Sequence, residues 1–120
     1  MGAPENLVKN SILEYLRIKS IYAWSNNSGA VKVGVGPASR YVRYGKKGSS
    51  DILGILDDGR FLAIEVKTAK GRATPDQVEF LADINKRGGL GFIARSVDDV
   101  RANLFGLGIS SRENKSEARN

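Results

Sequence analysis

The residues best suited to chemistry in this chain are Asp51, Glu65 and Lys67, provided that they share a face. Two carboxylates and an ammonium held together could bind a hard divalent cation through oxygen ligands alone. Their spacing argues that they do meet. Residues 52–56 and 61–66 are β-rich apolar runs separated by a turn that contains Asp58-Gly59. A two-residue loop at Asp58-Gly59 would place Asp51 across from Val66 and turn its carboxylate away from Glu65, because side chains alternate with period two. A three-residue loop, Asp57-Asp58-Gly59, with a type I turn and Gly59 in the left-handed position, sets Asp51 directly opposite Glu65. Cross-strand partners sit about 4.5–5.5 Å apart at Cβ, so two carboxylates there repel unless a cation lies between them. Lys67, two residues on, falls on the same face.

The plainer reading is that Glu65 and Lys67 are ordinary polar positions on a half-exposed strand. Against it, residues 61–64 are apolar, and the opposite face (Leu62, Ile64, Val66) is wholly apolar, so the acid begins where a buried strand emerges. Asp51 also follows Gly48, Ser49 and Ser50, small residues that allow close backbone approach.

The whole chain has 120 residues, which suits one domain: residues 1–108, followed by a polar, charged tail over 109–120 that is expected to be disordered. The formal charge is +6, with basic residues clustered at 40–47 and 67–72. That favours a polyanion such as nucleic acid, or an anionic membrane surface. No apolar run is long enough to span a bilayer, and no signal-peptide h-region opens the sequence. Without cysteine there is no disulfide, zinc-thiolate site or thiol nucleophile, and without histidine there is no His general base and no Ser-His-Asp triad. Carboxylates, lysine, hydroxyls and a hard metal remain.

Several elements must position these groups. Residues 4–19 read as an amphipathic helix on which Glu5, Val8, Ile12 and Leu16 share one sector, while Glu14 lies about 180° away in solvent. Glu5 is therefore expected on the core side, either stabilised there by the helix dipole or overhanging a site. The cluster at 25–29 is a plain turn or, through Asn27 and Ser28, a phosphate contact. Residues 31–35 and 40–44 read as a second hairpin. Lys32, Arg40 and Arg43 point outward from it beside Tyr41 and Tyr44, and Lys46-Lys47 extends the basic edge. These cations, with Lys70 and Arg72, form a solvated edge or a nucleic-acid surface. Thr74-Pro75-Asp76-Gln77 has the pattern of a capping box opening a helix that runs to about residue 87, with an apolar stripe at Val78, Leu81, Ala82 and Ile84. Gln77 is a capping partner, a site residue, or both. A buried strand at 91–94 and a helix from Ser96 to about residue 105 complete the order: helix, four strands, helix, strand, helix. That is an α/β domain with a mixed central sheet flanked by helices.

Taken together, Glu5, Gly48-Ser49-Ser50-Asp51, Glu65-Val66-Lys67 and Gln77 resemble the PD-(D/E)XK nuclease superfamily, and specifically a stand-alone VRR-NUC domain. The resemblance covers roughly residues 4–100, including the Trp24 to Ala30 segment and the Thr74 helix opening; no proline precedes Asp51. It implies a restriction-endonuclease-like core and metal-dependent hydrolysis of DNA phosphodiesters. Asp51 and Glu65 would ligate Mg²⁺ or Mn²⁺ with the Val66 carbonyl, and Glu5 would bind a second ion or an ordered water. Lys67 would orient and help deprotonate the attacking water, and Gln77 would position water or substrate. Stand-alone members resemble homodimeric resolvases of branched DNA such as four-way (Holliday) junctions, acting in the cytoplasm of a bacterial cell, encoded by the bacterium or a phage. No small-molecule cofactor is implied. The alternative from another class is a non-catalytic basic module that binds nucleic acid, its acids only orienting Lys67.

Overall fold

A computed structural model describes residues 4–27 and 29–106. Its elements are α1 (Glu5–Ile18), β1 (Tyr22–Ser25), β2 (Gly29–Val33), β3 (Arg40–Tyr44), β4 (Ile52–Ile55), β5 (Phe61–Val66), α2 (Pro75–Lys86), β6 (Leu90–Ala94) and α3 (Val97–Phe105). Four strands form one mixed sheet in the order β1-β4-β5-β6, with β6 parallel to β5 and the other neighbours antiparallel. Helix α2 makes the crossover that the parallel pair requires. β2 and β3 form a separate antiparallel ribbon. Among the described residues no helix is long and apolar enough to cross a membrane.

The mixed α/β architecture is as expected, with one strand more. β1 has only four residues, two of them exposed aromatics, so no alternation marks it in the sequence. Pairing with β4 makes it a strand.

The central hairpin has the three-residue loop. Ile55 pairs with Phe61 and Ile52 with Ile64, while the Leu56 amide donates to the Arg60 carbonyl at 2.8 Å. The Gly59 amide donates to the Leu56 carbonyl at 2.8 Å, and its φ of 91° is the left-handed bulge geometry that favours glycine. One step beyond Ile52 and Ile64, that register sets Asp51 opposite Glu65.

The sheet is covered on both faces. On one, Ile52, Leu62, Ile64, Val66, Phe92 and Ala94 pack against Ile12 and Leu16 of α1 and Val100 and Leu104 of α3. On the other, Leu53, Ala63 and Ile93 meet Phe80, Leu81 and Ile84 of α2. Phe80 therefore takes the place expected for Val78, which is half exposed, and Ala82 faces solvent. The 3.6-residue period puts Gln77, Leu81 and Ile84 on one stripe, and Phe80 completes it. Asn85 fastens this helix to β6, donating to the Gly91 carbonyl at 2.9 Å and accepting from the Gly91 amide at 2.8 Å.

The stripe of α1 is buried at Ile12 and Leu16 and half-buried at Val8, but Glu5 is exposed. It lies on the expected sector, a turn beyond the end of the core. Glu14 is in solvent as expected, paired with Arg17 at 2.6 Å, which holds its carboxyl below the usual range. The tail over 109–120 and Ser28 lie outside the described residues.

Candidate active site

Asp51 stands at the entry to β4 and Glu65 one residue before the end of β5, on the α2 face of the sheet. The backbone fixes Asp51 twice: its carboxylate Oδ2 accepts from the Val66 amide at 2.9 Å, and its carbonyl accepts from the Asn26 amide at 2.7 Å. A residue's N–H and C=O leave a strand on the same side. The Val66 carbonyl therefore turns toward the edge where Asp51 sits.

Glu65 is 2 % exposed, its Oε2 lies 3.3 Å from Lys67 Nζ, and its Oε1 is buried without a hydrogen-bond partner. Burial, and then the charge of neighbouring Asp51, push its pKa up from 4.5 to about 7 against the opposing pull of Lys67. A buried acceptor left unpartnered beside a second carboxylate is unfavourable for the protein alone. It fits a bound cation, which would give that oxygen a partner and relieve the repulsion. The available donors are all oxygens (Asp51, Glu65 and the Val66 carbonyl), as a hard octahedral ion requires.

The loop before Asp51 is held against α2. Gly48 has φ 79°, and a Cβ there would lie 2.5 Å from the Asp76 carbonyl oxygen, so only glycine lets the loop approach the helix this closely. Lys47 pairs with Asp76 at 3.2 Å across the same junction. Gln77, one residue on, is half-buried on the sheet-facing stripe. Its Oε1 accepts from the Thr74 amide at 2.9 Å and its own amide donates to Thr74 Oγ1 at 3.2 Å, so the capping box is complete. A role in the site would fall to its amide nitrogen.

Asp51, Glu65, Val66 and Lys67 come together, and Glu5 is exposed at the start of α1. Among the described residues no three acidic, histidine or cysteine side chains group closely enough to hold one ion. The first turns of α1 lie against the β6–α3 junction, where Leu7, Val8 and Ser11 line a recess with Arg95, Ser96 and Val97. Of the residues expected to touch nucleic acid, Asn27, Arg40, Arg43, Lys46, Lys47, Lys70 and Arg72 are exposed.

Two positioning residues escape a sequence reading. Asn26 Nδ2 donates to Ser49 Oγ at 2.9 Å and to the Ser50 carbonyl at 3.0 Å, latching the strand that carries Asp51. Arg95 Nη1 donates to the carbonyls of Thr68 at 2.5 Å and Gly71 at 2.6 Å, gathering the loop that follows Lys67. The Lys67 amide itself donates to the Ala94 carbonyl at 3.0 Å. A polar turn cluster was the only signal for Asn26, and nothing local marks Arg95, whose partners lie 24 and 27 residues away.

The VRR-NUC domain model matches residues 6–98. A solved structure described as a VRR-NUC domain protein superposes with a TM-score of 0.59 at 21 % identity, covering 83 % of this chain and 84 % of that one. At that identity the likeness establishes the fold. No curated protein matches the chain.

Proposed function

The chain belongs to the VRR-NUC domain family, whose members are nucleases, and from that premise we propose that it is a metal-dependent DNA endonuclease acting on branched DNA. The observation that carries the reading is the buried Glu65 carboxylate, one oxygen unpartnered, opposite Asp51 and beside Lys67. Asp51, Glu65 and the Val66 carbonyl would hold Mg²⁺ or Mn²⁺, with Glu5 reaching a second ion or an ordered water. When bound, such an ion lowers the pKa of water and neutralises charge that builds on the phosphate.

The chain's own groups supply the rest. Lys67 sets a compact positive charge beside Glu65, where it orients an attacking water and takes part in its deprotonation. The Val66 amide, donating to Oδ2, holds the Asp51 carboxylate in place. The Gln77 side-chain nitrogen Nε2, which the capping box does not use, orients water or a phosphate oxygen. Arg40, Arg43, Lys46, Lys47, Lys70 and Arg72, with Asn27 and Ser28, contact the DNA backbone and fix its register. The chain carries one such centre, and symmetric cutting of two strands takes two centres about a twofold axis, so the active species is a homodimer working on cytoplasmic DNA.

Incubation with labelled linear, flap and four-way-junction DNA in Mg²⁺, Mn²⁺ or EDTA tests this. Metal-dependent cutting that favours the branched forms is expected. Binding without cutting under every condition would instead make the chain a basic binding module. A monomeric mass at micromolar concentration, with both strands of a junction still cut, would overturn the dimer.

A further inference from the structure

Tyr22 and Trp24 have no role in the account so far. Tyr22 pairs with Ile55 and Trp24 with Leu53. Because positions 51, 53 and 55 share a face, alternation puts both aromatics on the face that carries Asp51 and Glu65. Trp24 is the diagonal neighbour of Asp51, which sets the two residues roughly 7–8 Å apart. β1 is the outer strand, and α2 packs chiefly on β5 and β6. Tyr22 and Trp24 are accordingly 70 % and 38 % exposed. Their centroids lie 5.4 Å apart at 61°, an edge-to-face contact that leaves ring surface uncovered.

We propose that Tyr22 and Trp24 form a stacking platform for an unpaired nucleobase next to the carboxylate pair of Asp51 and Glu65. The proposal rests on the nuclease reading and adds what that reading lacks, a means of recognising the substrate. Three features point to a base rather than a second protein surface. The rings continue directly from the carboxylate pair along adjacent strands. The chain carries a net charge of +6, which favours a polyanion. A nucleotide that lies beside the carboxylate pair has its own base within reach of the next strand. In an intact duplex base faces are hidden by stacking, so only a single-stranded or branch-point base can use the platform. Selection for unpaired nucleotides beside the cut follows.

Trp24 is the chain's only tryptophan, so its emission reports the site alone. The full-length protein is titrated in EDTA with a labelled single-stranded oligothymidylate and with a blunt duplex of equal length, anisotropy reporting binding independently of fluorescence. Saturable quenching of Trp24 by the single strand is expected, with little by the duplex. Trp24→Leu, which keeps apolar bulk on the strand, should weaken single-strand binding by about 5- to 150-fold, while Trp24→Phe retains most of it and both leave duplex binding unchanged. Unchanged emission with the strand demonstrably bound would overturn the platform, as would equal affinity in Trp24→Leu. Emission that shifts to the blue with protein concentration in the absence of DNA, with a doubled mass lost in Trp24→Leu, would assign the face to a second copy. Cleavage by the wild type in Mg²⁺ is measured in parallel. Cutting without quenching removes the platform and leaves the nuclease reading; quenching without cutting in any metal does the reverse; a strand that never binds removes the platform, and cutting of branched DNA then decides the nuclease reading.

Discussion

Two antiparallel hairpins from one chain meet opposite fates. β4–β5 is paired on both sides and buried between α1 and α3 on one face and α2 on the other. β2–β3 pairs only with itself, and Val31, Tyr41, Val42 and Tyr44 stay exposed. An isolated two-stranded ribbon is marginally stable in water. Support from layers on both faces gives the first hairpin the rigidity to hold two repelling carboxylates in register. The second lacks that support, so it suits a surface that adapts to a nucleic-acid backbone.

The largest contrast is expected in amide hydrogen exchange. Amides of β5 should exchange through near-global unfolding and those of β2 and β3 through local opening, a difference of at least about a thousandfold in protection. Equal protection would mean that something unseen covers the ribbon. In the same direction, Ile64→Ala should cost roughly 2–5 kcal/mol by denaturant titration, whereas Val31→Ala should stay within about 0.5 kcal/mol. Matching losses at the two sites would contradict the division.

Proton linkage at Glu65 comes next. Its folded pKa, pushed up to about 7 from 4.5, means that the metal-free native state binds more protons than the unfolded chain between those values. Stability is fully present below the unfolded value and is lost as pH rises through about 7, by an amount on the order of 3 kcal/mol at most. Glu65→Gln should flatten the dependence, so its advantage in Tm in EDTA grows from pH 5 to pH 8. An advantage that shrinks as pH rises would show that burial does not hold the proton on Glu65. The smallest effect belongs to the ribbon: Arg43→Ala should weaken DNA binding, lower the salt slope by about one, and leave turnover at saturating DNA unchanged.

The central hairpin was legible because its register depends on local geometry: Asp57-Asp58-Gly59 demands a left-handed residue, and Gly59 supplies it. The capping box of Thr74 and Gln77 and the Ser96 cap, whose Oγ accepts from the Asp99 amide at 3.1 Å, are equally local. Features set by distant partners were not. β1 exists through β4, and Phe80 rather than Val78 is buried because of how α2 is rolled on the sheet. Asn26 and Arg95 act across more than 20 residues of chain. Helical phase put Glu5 on the right sector but could not say where the core ends.

The most direct test compares the wild type, Asp51→Asn and Glu65→Gln on a labelled four-way junction, with binding measured in EDTA and cutting in Mn²⁺. The account predicts equal binding by all three proteins, cutting by the wild type in metal alone, and a loss of at least about a hundredfold in each variant. Cutting by the wild type in EDTA, or by either variant at an undiminished rate, would contradict it.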